Sequence, residues 1–93
     1  MANFLVRIEL HEAGWNDYET LHAEMADRGF SRKIKGDSGR TYQLPTAEYA
    51  IHTILGLASV RDLAAAAAKT TGRTFGVIVA EYSQSSWVGL AHA

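Results

Sequence analysis

The order of periodicities along this chain predicts an α+β fold built from a strand, a helix, two strands, a helix and a strand. Three observations carry that prediction. Apolar residues alternate near both ends of the chain, from Asn3 to His11 and from Thr74 to Tyr82, as they do in strands with one buried face. Two stretches of helical period lie between them, each followed by a glycine, Gly29 or Gly72, suited to ending a helix. Between the helices, Gly36-Asp37-Ser38-Gly39 is a reversal signal flanked by short strand patterns. The β-α-β-β-α-β order is that of a ferredoxin-like sandwich, an antiparallel sheet with two helices on one face.

Ninety-three residues with 47% apolar content form a single core and do not divide into two. The domain is expected over residues 1–82, with 83–93 as a C-terminal tail. Cysteine is absent, which excludes disulfides, thiolate metal sites and cysteine nucleophiles. No apolar run approaches a membrane span and no signal-like segment opens the chain, so a cytoplasmic protein that does not enter membranes is expected.

The first strand places Phe4, Val6, Ile8 and Leu10 on one face and Leu5, Arg7, Glu9 and His11 on the other. Charge on that second face, where an RNA-recognition-motif sheet displays aromatics, argues against that module. Trp15, Tyr18, Leu21, His22, Met25 and Gly29 then recur at helical spacing, predicting a helix from Asn16 to Arg28 with Asn16 as its N-cap. Phe30 to Lys35 reads as a strand with Phe30, Arg32 and Ile34 on one alternation, and Arg40 to Leu44 as its hairpin partner. Beyond Pro45, Ala47 to Leu55 is a further strand pattern, and the sequence leaves open which of these two is the principal third strand. Ser59 and Asp62 resemble a capping box, so the second helix is expected from Ser59 to Thr71, with its alanine run packed close against the sheet. Thr74 to Tyr82 is the last strand. The tail holds Trp87, Val88 and Leu90, which either dock on the sheet, meet a second subunit as in a homodimer, or fray.

Charge is segregated. Arg28, Arg32, Lys33, Lys35 and Arg40 are five of the nine basic residues, and Asp37 is the only acid among them. On a chain of net charge -1 such a cluster attracts phosphate through its local field, which makes these five the candidate RNA-binding residues. A solvated hairpin edge, where lysines discourage edge pairing, accounts for the same residues. Neutralising Arg32, Lys33 and Lys35 together is expected to weaken RNA binding and flatten its salt dependence.

The four histidines show no paired metal-ligand spacing, so neither a metal nor another cofactor is expected. His22 falls beside the apolar stripe of the first helix, as a packing residue does. His11 ends the first strand beside Glu12, and His52 projects with Glu48 from a later strand. Imidazole titrates near neutrality, which makes His11 and His52 the candidate catalytic acids or bases, although each alone also fits an ordinary surface residue. No phosphate loop or nucleophilic serine motif is present.

Phe30-Ser31, Ile34, Asp37, Gly39 and Gln43-Leu44, preceded by a helix with Leu21 and Met25 and followed by a strand and a helix with Leu63, resemble the endoribonuclease antitoxins of type V toxin–antitoxin systems, the GhoS-like family. The likeness spans Leu5 to Tyr82. It implies a ferredoxin-like antitoxin that cleaves the messenger RNA of a small membrane-damaging toxin. The fold is also similar to that of small CRISPR-associated nucleases, whose metal-dependent activity involves an acid at the end of strand one. Here Glu9 is internal and Leu10-His11 holds that end, which speaks against such a metal site. Cleavage without a metal needs a base, an acid and a cation near the phosphorane. His11 or His52 would supply the first two, and Arg28, Arg32 and Arg40 would hold phosphate. The alternative is a non-catalytic ferredoxin-like module that assembles through sheet edges or through Trp87 and Leu90.

Overall fold

The computed structural model describes residues 1–93. Its elements are β1 (Ala2–Leu10), α1 (Trp15–Asp27), β2 (Lys33–Lys35), β3 (Thr41–Gln43), β4 (Glu48–Thr53), α2 (Leu57–Lys69) and β5 (Phe75–Tyr82). Strand β1 is central and pairs antiparallel with β4 on one side and β5 on the other. Just before β2, Ser31 and Ala50 exchange two backbone hydrogen bonds of 2.8 Å, which fastens this segment to the outer edge of β4. The three-stranded sheet β4-β1-β5, with the separate β2–β3 hairpin bridged beside β4, fits a ferredoxin-like arrangement.

Alternation decides which face carries the helices. Phe4, Val6, Ile8 and Leu10 of β1 are buried together with Tyr49 of β4, Leu21 and Met25 of α1, and Val60, Ala64, Ala67 and Ala68 of α2. Removing each large apolar side chain from water contributes about 1.5–3 kcal/mol. The three fully buried alanines let the backbone of α2 lie close to β1 and β5, because a methyl group is all that separates them. The opposite face of the sheet carries no helix. Across it run the rows His52-Asn3-Tyr82, Ala50-Leu5-Ala80 and Glu48-Arg7-Ile78.

Several boundaries differ from the sequence expectations, each for a local reason. Helix α1 starts at Trp15 with Gly14 as its N-cap, because the Asp17 carboxylate accepts the Gly14 N–H at 3.0 Å and so terminates the helix earlier than Asn16 would. Trp15, placed by periodicity on the apolar stripe, is 73% exposed, and the core contacts of α1 begin at Tyr18. Helix α2 starts at Leu57 after Gly56, which puts Ser59 inside the first turn, and Asp62 pairs with its neighbour Arg61 instead of capping. The principal third strand is β4, whereas Thr41–Gln43 pairs with β2 and not with the main sheet. Glu48 N–H bonds the Pro45 carbonyl and Ala47 takes a left-handed φ of 64°, so a tight turn separates the two runs.

The tail docks on the hairpin and not on the main sheet. Gln43 N–H donates to the Ala91 carbonyl and Ala93 N–H to that of Thr41, adding a short extended segment beside β3. Tyr42 receives Trp87 edge-on at 5.4 Å and His92 at 5.1 Å between ring centroids. A side chain at Gly36 would meet Trp87 Cζ2 at 3.3 Å and Tyr42 Cε1 at 3.4 Å, so those rings would have to shift by a few tenths of an ångström to admit one.

Asp17 also accepts from Arg73 Nε at 3.0 Å, tying the start of α1 to the entry of β5. The Gly14 backbone bond and, secondarily, Arg73 hold its carboxyl below the usual range against the opposing effect of desolvation. A depressed folded pKa means stabilisation that is complete above the unfolded aspartate pKa and is lost as pH falls through the folded value. Asp17→Asn is therefore expected to lower thermal stability at pH 7, with the difference from wild type closing in acid. A constant difference from pH 7 to pH 2 would assign the effect to packing.

Candidate nucleic-acid interface

The open face of the sheet, the β2 hairpin and the tail enclose a groove of about 900 Å³. Its floor is Asn3, Ala50, His52 and Tyr82, one wall is Ser31, Lys33, Lys35 and Asp37, and the other is Ser83 to Trp87. Each part follows from the local fold. Alternation along β4 sends Tyr49 and Ile51 toward the helices and His52 away from them. The three-residue strand β2 buries Ile34 and so turns both Lys33 and Lys35 outward on the other alternation. The chain leaving β5 at Tyr82 then crosses the open face on its way to the hairpin.

His52 is exposed, and its Nδ1 lies 2.9 Å from Asn3 Oδ1 across the β1–β4 pair. A carboxamide oxygen only accepts, so Nδ1 donates to it, and in the neutral ring Nε2 is the nitrogen left to accept. Tyr82 stands on the other side of Asn3 in the same row. Partial burial pushes its phenol up, which keeps the hydroxyl a proton donor. With Trp87 it also offers ring surface of the kind on which unpaired bases stack.

The sequence-selected residues do not all converge. His11 sits at the other end of β1, about 27 Å from Asn3 along eight residues of strand. Its Nδ1 contacts Thr74 Oγ1 at 3.0 Å and its Nε2 contacts Glu9 at 3.3 Å. His11 and His52 thus belong to different regions of the surface. Among the cations, Lys33 and Lys35 line the groove. Arg28 is turned back onto α1, where it bonds the Glu24 carbonyl at 2.9 Å and the Glu24 carboxylate at 2.8 Å. Arg40 is exposed in the reversal and does not line the groove. Arg32 faces the opposite side of β2, against α1.

Asn3, Tyr82 and Ser83 to Ser86 were not singled out by sequence reasoning, and Trp87 was expected only as a docking or subunit contact. Asn3 and Tyr82 matter through the β1–β4 and β1–β5 registers, which periodicity does not specify. The only signal was their placement, with His52, on polar-facing alternations. No group of three or more His, Asp or Glu side chains is placed to hold a metal ion. No helix is long and apolar enough to cross a membrane.

Fold and groove together define a ferredoxin-like domain with a basic, histidine-bearing channel on its open sheet face. The family model described as endoribonuclease GhoS matches residues 1–86, and the chain belongs to that family. No curated protein sequence matches it.

Proposed function

We propose that this chain is an antitoxin endoribonuclease that binds single-stranded RNA in the groove and cleaves the messenger RNA of a small membrane-active toxin. The observation that carries the reading is His52, oriented by Asn3 and facing a channel walled by Lys33 and Lys35. In the proposed reaction, His52 Nε2 takes the proton of a ribose 2′-hydroxyl as that oxygen attacks the adjacent phosphorus. The phosphorus–O5′ bond breaks, and O5′ takes a proton from a groove donor, for which Tyr82 is placed. The products are a 2′,3′-cyclic phosphate and a 5′-hydroxyl. Lys33 and Lys35 hold the phosphate and offset the charge that builds on its oxygens in the transition state. Of the two histidines, the base role is proposed for His52 alone, since His11 is remote from this channel.

The gene beside this one is expected to encode a very short, strongly hydrophobic protein. Incubating purified protein with that transcript, with and without chelator, tests the reading. Fragments ending in cyclic phosphate support it. Intact RNA under both conditions, together with an oligomer indifferent to salt, would favour the non-catalytic module. Lys33→Gln combined with Lys35→Gln is expected to reduce the slope of log affinity against log salt by about 1.4 on single-stranded RNA, two contacts at about 0.7 each. Both side chains are exposed, so unfolding stability is expected to change by less than about 0.5 kcal/mol.

A further inference from the structure

A second pocket of about 390 Å³ lies on the helix side of β2, between it and α1, and is lined by His22, Arg32, Lys33, Gln43 and Ser31. Arg32 is in no ion pair, and its Nε is buried without a hydrogen-bond partner, the only such side-chain atom in the protein. A buried guanidinium nitrogen left without an acceptor is costly, so a ligand that supplies an acceptor here would be stabilised. His22 contributes a donor of defined tautomer. Its Nδ1 is 2.6 Å from Tyr49 Oη, and because Tyr49 is fully buried with no other partner for its hydroxyl, the hydroxyl donates its proton to Nδ1. The ring's remaining nitrogen is then Nε2–H. Burial, and after it the Arg32 charge, lowers the His22 pKa, while Glu19 acts weakly the other way. Arg32, Lys33 and the His22 Nε2–H are all donors, and no acid lines this pocket.

Ser31 and Lys33 line both this pocket and the groove. The two therefore meet across the edge formed by β2. We infer that the His22–Arg32 pocket is a second phosphate subsite, which receives a phosphate of the RNA strand after that strand leaves the groove and crosses β2. This rests on the groove being the RNA channel. Arginine suits the position because its planar fork can bind two phosphate oxygens at once.

Two measurements test the subsite. Adding inorganic phosphate to isotope-labelled protein is expected to shift the NMR signals of the His22 ring and of Arg32 Nε–H saturably, and Arg32→Gln should abolish the His22 shift. For a 2′-O-methyl RNA hexamer, which cannot be cleaved, Arg32→Gln is expected to weaken binding about tenfold at low salt and to lower the salt slope by about 0.7. Arg32→Lys should retain most of that slope, and Arg61→Gln, remote on α2, all of it. A His22 ring unmoved by phosphate overturns the subsite. A folded Arg32→Gln protein with a wild-type salt slope overturns it too, even where free phosphate binds. If the slope falls in the Lys33/Lys35 variant but not in Arg32→Gln, the groove stands and only the pocket is lost. Wild-type protein that binds no hexamer overturns both.

Discussion

Replacing His52 with alanine is expected to slow RNA cleavage by about 10²–10⁴-fold, the usual contribution of one positioned acid–base group. The fold should be untouched, because His52 is exposed and its one recorded partner is the Asn3 side chain. Binding of uncleavable RNA should change little, since the proposed phosphate contacts are lysines and an arginine and not His52, so the loss falls on kcat. Asn3→Ala should give a smaller loss, because it frees the ring to rotate or change tautomer without removing it. His11→Ala serves as the control and is expected to cleave at the wild-type rate. Its ring lies at the far end of β1, held between Thr74 and Glu9. If His52→Ala cleaves like wild type while the lysine variant fails to bind, the channel is correct and the base lies elsewhere in it.

The contrast between the two histidines shows what kind of information the sequence holds. Periodicity is local. It correctly placed Phe4, Val6, Ile8 and Leu10 on the buried face, Ala64, Ala67 and Ala68 of the alanine run (though not the exposed Ala66) against the sheet, and the reversal at Gly36 to Gly39, because each depends on neighbours within a few residues. The β-α-β-β-α-β order follows from those local readings. Residue type likewise singled out His52, Lys33 and Lys35. What the sequence did not reveal was their assembly. His11 and His52 were equivalent as exposed histidines on strands, and only the register Asn3 opposite His52 sets them at opposite ends of the sheet. The five cations formed one cluster along the chain, yet Lys33 and Lys35 line the groove, Arg32 lines only the pocket against α1, and Glu24 recruits Arg28. Cap positions were misread for a related reason. Glycine gives a weak N-cap signal beside Asn16 or Ser59, and Gly14 holds the start of α1 through the Asp17 carboxylate three residues on.

Phe4→Ala is expected to be the most destabilising of these substitutions, costing about 3–5 kcal/mol. Phe4 is 1% exposed on the central strand, packed in the cluster shared by both helices, and truncation leaves a cavity that β1, paired on both sides, cannot close. A domain of this length has a total stability of roughly 5–14 kcal/mol at 0.05–0.15 kcal/mol per residue, so the loss is a large fraction of the whole. Urea unfolding should show a lower midpoint with an unchanged slope. Ile78→Ala supplies the comparison. Ile78 is also a large apolar residue in a strand paired with β1, but it is 66% exposed on the open face, and its truncation is expected to cost less than about 0.5 kcal/mol. Equal costs would mean that something covers the open face, and the groove would then not be available to RNA. At a temperature where Phe4→Ala is still folded it should cleave RNA normally, because its side chain points to the helices while the adjacent Asn3 holds His52 on the other side. Cleavage lost in step with unfolding, and not before it, would separate the role of the core from that of the channel.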